Sequence, residues 1–418
     1  MASTVRPPVA ERATPLPAPV AGAPRRADWP LLAATTSLYT SFGLIYGLMQ
    51  GGLPPLMRAR GIDLAAVGWF FIILVPFGLT FLWAPLIDVV RPSARAPRIA
   101  WIALMQGAIV ALLLAVARGE AAPPPILLAL GLGIALAAAT MDLALDALCT
   151  TSVAGAQRIA AGGLKVAALA IGSILGGGIF VALATRLGWS LSFHLCAAYC
   201  LLAVIPLLIL RRREPPQLAG TPRRADLLAM LRRRDMRQRL ALLSLASATM
   251  AALSFLNRVM LVDLHVPLAR IGWIVGIGAP TCGLIASLLA IPSLRHLGTR
   301  RGMLVYAGLC LGAAAAMAIG AAGGGALPAI VGAIAVSGGT SGFFVIICAA
   351  TLGWARGEQP ATDYAVLYGL SRLVATLLLV VLTRLVPLLG WPLFYAGGAA
   401  AVIATCALLA RVVPDRAG

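Results

Sequence analysis

Thr140-Met141-Asp142-Leu143-Ala144-Leu145-Asp146-Ala147-Leu148 sets two carboxylates four residues apart in an otherwise apolar run. From Ile126 to Leu148 no other residue is ionisable, and the run is long enough to cross a bilayer as a helix. A spacing of four puts Asp142 and Asp146 on one helix face, about one turn apart. A carboxylate at membrane depth costs roughly 3 kcal/mol on insertion scales. The pair must therefore face a water-filled cavity, a protein partner or a bound solute. Helix-packing hydrogen bonds between protonated acids are the alternative. Like charge and desolvation both oppose a second anion so close, so the two acids are expected to titrate as a unit and share one proton.

The rest of the chain reads as the same kind of material. Of 418 residues, 61% are hydrophobic and 11% charged, and mean hydropathy is +0.95. A soluble domain is nearer half apolar and a quarter charged, so this is a polytopic membrane protein. Asp142 and Asp146 are the only acids well inside a predicted span. The net charge of +19 does not indicate nucleic acid, because the arginines gather in particular loops. The seven cysteines lie in or beside apolar spans with no C-x-x-C, which predicts neither disulfides nor a metal site, and no cofactor is expected. H-E-x-x-H, G-x-S-x-G and Walker-type motifs are missing, which argues against an enzyme or an ATP-driven pump.

Residues 1–28, rich in Pro, Ala and Arg, are expected to form a disordered cytoplasmic tail with no cleaved signal peptide. About twelve apolar segments follow, at 30–53, 64–90, 99–117, 125–150, 159–184, 190–210, 240–262, 270–292, 302–321, 327–353, 362–386 and 391–411. They predict an N-terminal six-helix bundle over 29–210, an Arg-rich cytoplasmic linker over 211–239, a C-terminal six-helix bundle over 240–412, and a tail over 413–418. Arg91, Arg95, Arg98, Arg158, Arg295, Arg300, Arg301 and Arg356, with the linker, fall on one side of this layout. Arg58, Arg60, Arg118, Arg186, Arg270 and Arg384 fall on the other. The richer side is cytoplasmic by the positive-inside rule, and both termini belong to it.

The two halves repeat each other. Leu64-Ala65-Ala66-Val67-Gly68-Trp69 returns as Leu268-Ala269-Arg270-Ile271-Gly272-Trp273, an offset of 204 residues that also carries Pro76 onto Pro280 and Arg91 onto Arg295. Two six-helix bundles with a solute site between them at mid-depth is the major facilitator arrangement. Lys165, the only lysine, lies in the fifth span, Asn257 and Arg258 in the seventh and Arg372 in the eleventh. An arginine at such depth should face a cavity, an acid or a bound anion, so these four residues are the expected solute-binding set. Lys165 could instead snorkel to the cytoplasmic face. Asp88, beside Arg91 and Arg95, and Asp363 at the start of the eleventh span could latch the bundles in one conformation. Ordinary interfacial charge is the alternative reading. Gly172 and Gly176 form a G-x-x-x-G that indicates close helix packing.

Three stretches carry a family resemblance. Phe81-Leu82-Trp83-Ala84-Pro85 with Asp88 resembles F-L-W-[AS]-P-x-x-D. Thr140-Met141-Asp142 with Asp146 resembles T-Q-D-x-x-x-D, with Met141 in place of Gln. Thr362-Asp363-Tyr364 is similar to G-T-D-[FY]. Over residues 30–410 the chain thus resembles the AmpG-like branch of the major facilitator superfamily, in particular its RhtX/FptX-type siderophore permeases. It departs from them in the fifth span, where Leu169-Ala170 stand in place of a frequent Tyr-Arg and Lys165 is the nearest positive charge. The resemblance implies a transporter of the bacterial inner membrane, acting as a monomer and importing a bulky polar solute by proton coupling through Asp142 and Asp146. A siderophore is the first expectation, from the compact length, and a muropeptide the alternative. A non-transporting receptor or scaffold acting through the linker is a reading of another class.

Overall fold

The computed structural model describes residues 29–93, 95–152, 157–209, 232–354 and 360–412. Among them there is no strand, and nine helical runs are long and apolar enough to span a membrane. Three of these runs contain a glycine with a non-helical backbone: Gly188 (φ 75°), Gly298 (φ 78°) and Gly390 (φ 75°). A positive φ is accessible to glycine at little cost and reverses the chain within one run. The nine runs are therefore twelve spans.

We number them α1 (Trp29–Ala59), α2 (64–89), α3 (Pro97–Arg118), α4 (Pro124–Ser152), α5 (157–187), α6 (189–209), α7 (Arg234–Asp263), α8 (268–297), α9 (299–324), α10 (Ala326–Trp354), α11 (360–389) and α12 (391–412). Successive helices alternate in direction. Trp29 and Val412 thus share one end of the bundle, called the near end here, while the α1–α2 and α7–α8 turns lie at the far end. The second half begins at Arg234, inside the stretch the sequence assigns to the linker. Asp235 sits in that first turn and pairs with Arg239 at 3.3 Å, which extends the helix into polar sequence. Residues 211–231 of the linker, and both tails, lie outside the described residues.

The internal repeat has a structural counterpart. Helices α2 and α8 begin at Leu64 and Leu268, and both leave α-helical geometry within eight residues, α2 as a 3₁₀ turn and α8 as a π-turn. Gly188 and Gly390 each precede a tryptophan whose indole donates at the far end, Trp189 to the Val116 carbonyl and Trp391 to Asp263.

Glycines let the central helices touch backbone to backbone. A Cβ on Gly172 would lie 2.2 Å from the Thr40 carbonyl oxygen, and one on Gly176 2.0 Å from that of Leu44. The G-x-x-x-G of α5 is thus the contact face for α1. The halves meet in the same way, where a Cβ on Gly276 would stand 2.3 Å from the Gly178 Cα and one on Gly369 2.6 Å from the Gly78 carbonyl oxygen. In a solvent as apolar as the side chains, such close approach is a main source of helix association.

Candidate functional site

The acidic pair of α4 meets Lys165 of α5. The Lys165 ammonium lies 2.5 Å and 2.7 Å from the two carboxylate oxygens of Asp146, and 3.5 Å from one oxygen of Asp142. Tyr39 of α1, one of the aromatic residues the sequence reading passed over, donates its hydroxyl to Asp146 at 2.6 Å, and Lys165 sits over its ring at 4.7 Å. Asp146 thus has its acceptor positions committed to an ammonium and a phenol. Asp142 has the single longer contact. A cavity of about 340 Å³ opens among α1, α4 and α5 toward the near end, lined by Tyr39, Asp146, Cys149 and Lys165 with Thr35, Thr36 and apolar neighbours. The expected companions, two acids on one face and a lysine beside them, are brought together.

Arg372 of α11 forms a second cluster at mid-depth. Its guanidinium donates to the hydroxyls of Tyr46 on α1 and Tyr368 one turn back on α11, with both ring centroids 5.4 Å away. Asp142 is within electrostatic range of this arginine across the seam. Phe42, Tyr46 and Phe77 continue the aromatic surface, with Phe77 edge-on to the other two at 5.7 Å and 5.3 Å. Tyr46 and Tyr368 also escaped the sequence reading. Only Tyr368 had a signal in the sequence, since it precedes Arg372 by one helical turn.

Asn257 and Arg258 do not share that surface. Arg258 is buried at the junction of the halves and donates to the carbonyls of Gly51 on α1 (2.9 Å) and Gly177 on α5 (2.5 Å). Asn257 reaches the Ala333 carbonyl at 3.4 Å, while its Oδ1 is buried without a hydrogen-bond partner. Arg91 and Arg95 are exposed in the turn between α2 and α3. The side chains of Asp88 and Asp363 lie outside the described residues.

At the far end a different charge pair joins the halves, in which Arg58 Nε stands 2.6 Å from Asp263 Oδ1. There Trp391 Nε1 donates to the other oxygen of Asp263 at 2.9 Å. A half-buried polar core with matched charge, an aromatic surface and apolar walls can hold a polar solute and move a proton. Among the described residues no group of three or more His, Cys, Asp or Glu could hold a metal ion.

The architecture and this buried charge define a membrane carrier. The sequence model of the Major Facilitator Superfamily matches residues 31–261, more than half of the chain, and the chain belongs to that superfamily. Among curated proteins it is 30% identical over 172 residues to "Anhydromuropeptide permease" of Escherichia coli (strain K12), a match covering 40% of this chain and 34% of that protein. It is also 29% identical over 180 residues to an "Uncharacterized protein" of Haemophilus influenzae, covering 42% of each. The chain thus aligns with about a third of the permease's length. This likeness supports the AmpG-like branch. Among solved structures, a point mutant of the nucleoside transporter NupG superposes with a TM-score of 0.72 at 14% identity, covering 91% of this chain and 99% of that one. A bacterial homologue of the iron transporter ferroportin in an inward-facing state gives 0.60 at 18%, covering 91% and 96%. These two likenesses concern the fold.

Proposed function

We propose that this chain is a proton-coupled permease of the bacterial inner membrane that imports a muropeptide-class solute. The observation that carries the coupling is the Asp142–Lys165–Asp146 cluster, the charged core of an otherwise apolar span pair, whose Asp146 and Lys165 line a cavity toward the near end. The solute class is supported by the printed name of the E. coli relative and by the chemistry of the Arg372 surface. A muropeptide offers carboxylates, which a guanidinium binds well, and sugar rings, which lie flat on aromatic faces.

In this reading the near end is the cytoplasmic side, as the arginine distribution expects. Asp146 stays engaged with Lys165 and Tyr39 throughout, and Asp142 is the carboxylate that takes up and releases the proton. Ionised, Asp142 is drawn to Lys165 and lies within the electrostatic range of Arg372. Protonated, it leaves Arg372 free to attract the anionic groups of the solute, while Lys165 stays with Asp146. Proton and solute then travel together, and loss of the proton to the cytoplasm resets the carrier.

The test is uptake of a radiolabelled muropeptide into membrane vesicles, with and without an imposed pH gradient. Accumulation that depends on the gradient and is absent in Asp142→Asn supports the reading. Gradient-independent accumulation in the parent overturns the coupling. Absence of uptake for muropeptide, with uptake of a ferric siderophore in its place, overturns the solute class.

A further inference from the structure

Arg258 is expensive to place where it is, and its partners are unusual. Both are main-chain carbonyls of the opposite half, and both belong to π-turns: Leu48–Gly52 in α1 and Leu175–Ile179 in α5. A π-turn shifts the helical bonding by one residue and leaves a carbonyl without its usual donor. At Gly51 the sequence makes this unavoidable. The residue four positions on is Pro55, which has no N–H to give. Arg258 supplies that donor from across the seam.

The approach is possible only because the residues it meets carry no side chains. A Cβ on Gly51 would lie 2.0 Å from Arg258 Nη1, and one on Gly177 2.8 Å from it. The α7 helix is itself interrupted between Phe255 and Asn257, which turns residue 258 toward the partner half. The surrounding contacts are also inter-half and continue to the far end: Gly178 against Gly276, Gly272 against Ala182, Gly68 against Thr383, and Arg58 with Asp263.

We infer that Arg258 is the bolt of the far-end gate, a positioning residue that closes the solute path by capping the two π-turn carbonyls of α1 and α5. Opening that end requires the guanidinium to leave both carbonyls together, so the closed state is all-or-none. The inference rests on the transporter reading for its role in a cycle. Its geometry can be tested with no solute present, so failure of the solute assignment leaves it standing and measurable.

The experiment measures the closure directly. Spin labels at Ala59→Cys on α1 and Leu388→Cys on α11, in a full-length chain whose seven native cysteines are replaced, report the far-end separation by double electron–electron resonance without solute. The parent should show one short distance population. Arg258→Gln should shift the short-to-long ratio by about tenfold, the loss of roughly one hydrogen bond to a charged group. Both bonds come from the one nitrogen Nη1, so Arg258→Lys, whose ammonium keeps the charge on a shorter side chain, should fall between the parent and Arg258→Gln. Gly51→Ala displaces the guanidinium from the other side and should reproduce the shift, yet add nothing in the Arg258→Gln background. A distance distribution unchanged in both Arg258→Gln and Gly51→Ala, in protein of parental melting temperature, overturns the gate role. So does an additive shift in the double variant. A solute-binding role would instead raise the apparent KM and leave the solute-free distances alone.

Discussion

Two arginines from the second half reach the first half, Arg372 at mid-depth and Arg258 nearer the far end, and they meet opposite surroundings. Arg258 is buried to 9% exposure and bonded to two carbonyls. Arg372 is half-buried between two phenol rings, within the electrostatic range of Asp142. A backbone carbonyl carries no proton and cannot swing away alone, so the first arrangement suits closure. Tyrosine hydroxyls and a carboxylate can exchange partners with an incoming solute, so the second suits binding. The same contrast runs along the bundle. The far end is knit by glycine contacts and the Arg58–Asp263 pair, whereas the near half holds the charged cavity. An isolated cation in an apolar span is therefore defined by what its neighbours can do, and the apolar span itself says little.

The largest effect that would break this contrast is expected at the acids. Asp142→Asn should reduce gradient-driven accumulation to background and leave solute exchange down its gradient intact, measured in vesicles at matched expression. Asp146→Asn should abolish accumulation as well, with an added loss of stability, because Lys165 keeps an amide oxygen at this position but its only remaining ionic partner is Asp142 at 3.5 Å. Stripping a fully buried ion of its partner costs about 3–5 kcal/mol. With the Asp146 side chain 46% exposed, the loss in melting experiments should be well below that. Normal accumulation in both variants would make the pair structural and move the coupling elsewhere.

Next in size is Arg372→Lys. An ammonium keeps the charge but cannot span two tyrosine hydroxyls while lying over both rings. The loss of two partly buried cation–π contacts, about 1–2 kcal/mol together, should raise the apparent KM for solute roughly tenfold with little change in maximal rate. A fall in rate at constant KM would place Arg372 in the conformational step and dissolve its difference from Arg258.

The sequence carried most of the fold and a definable part of the site. Twelve spans follow from apolar length. The pairing of halves follows from the repeat that begins at Leu64 and Leu268, where both helices start. Asp142, Asp146 and Lys165 stood out because a charge in an apolar run has few reasons to exist. Tyr39, Tyr46 and Tyr368 did not, since an amphipathic ring is unremarkable in a span and its importance lies in contacts from other helices. Arg258 was located but expected among the solute-binding residues, whereas it caps the carbonyls of Gly51 and Gly177. Its acceptors are carbonyls, which every residue has, and only the pairing of Gly51 with Pro55 marks one of them as free.

A smaller effect is expected where charge joins the halves in reach of water. Asp263→Asn removes the ion pair with Arg58 but retains an acceptor for Trp391. The pair's side chains are 29% and 20% exposed, so screening keeps its contribution near 1 kcal/mol. The far-end distance ratio should move a few-fold, less than for Arg258→Gln. An equal or larger shift would make the surface pair the principal closure and reduce Arg258 to a helper.

The smallest effect sharpens the comparison by what it leaves alone. Arg60 and Glu120 form a far-end pair of 3.0 Å, but both belong to the first half, and their side chains are 41% and 56% exposed. An exposed pair of this kind contributes about 0.2–1 kcal/mol at most, and many contribute nothing measurable. Arg60 also rests over the Trp189 ring at 4.8 Å, a contact that survives loss of the carboxylate. Glu120→Gln should therefore change melting temperature by no more than a degree or two, and the far-end distance distribution not at all. That variant carries a charge change at the same end of the bundle as Asp263→Asn, without crossing between the halves. If it shifted the distances as strongly, the closure would respond to the overall field at the far end, and the contacts across the seam would lose their special standing.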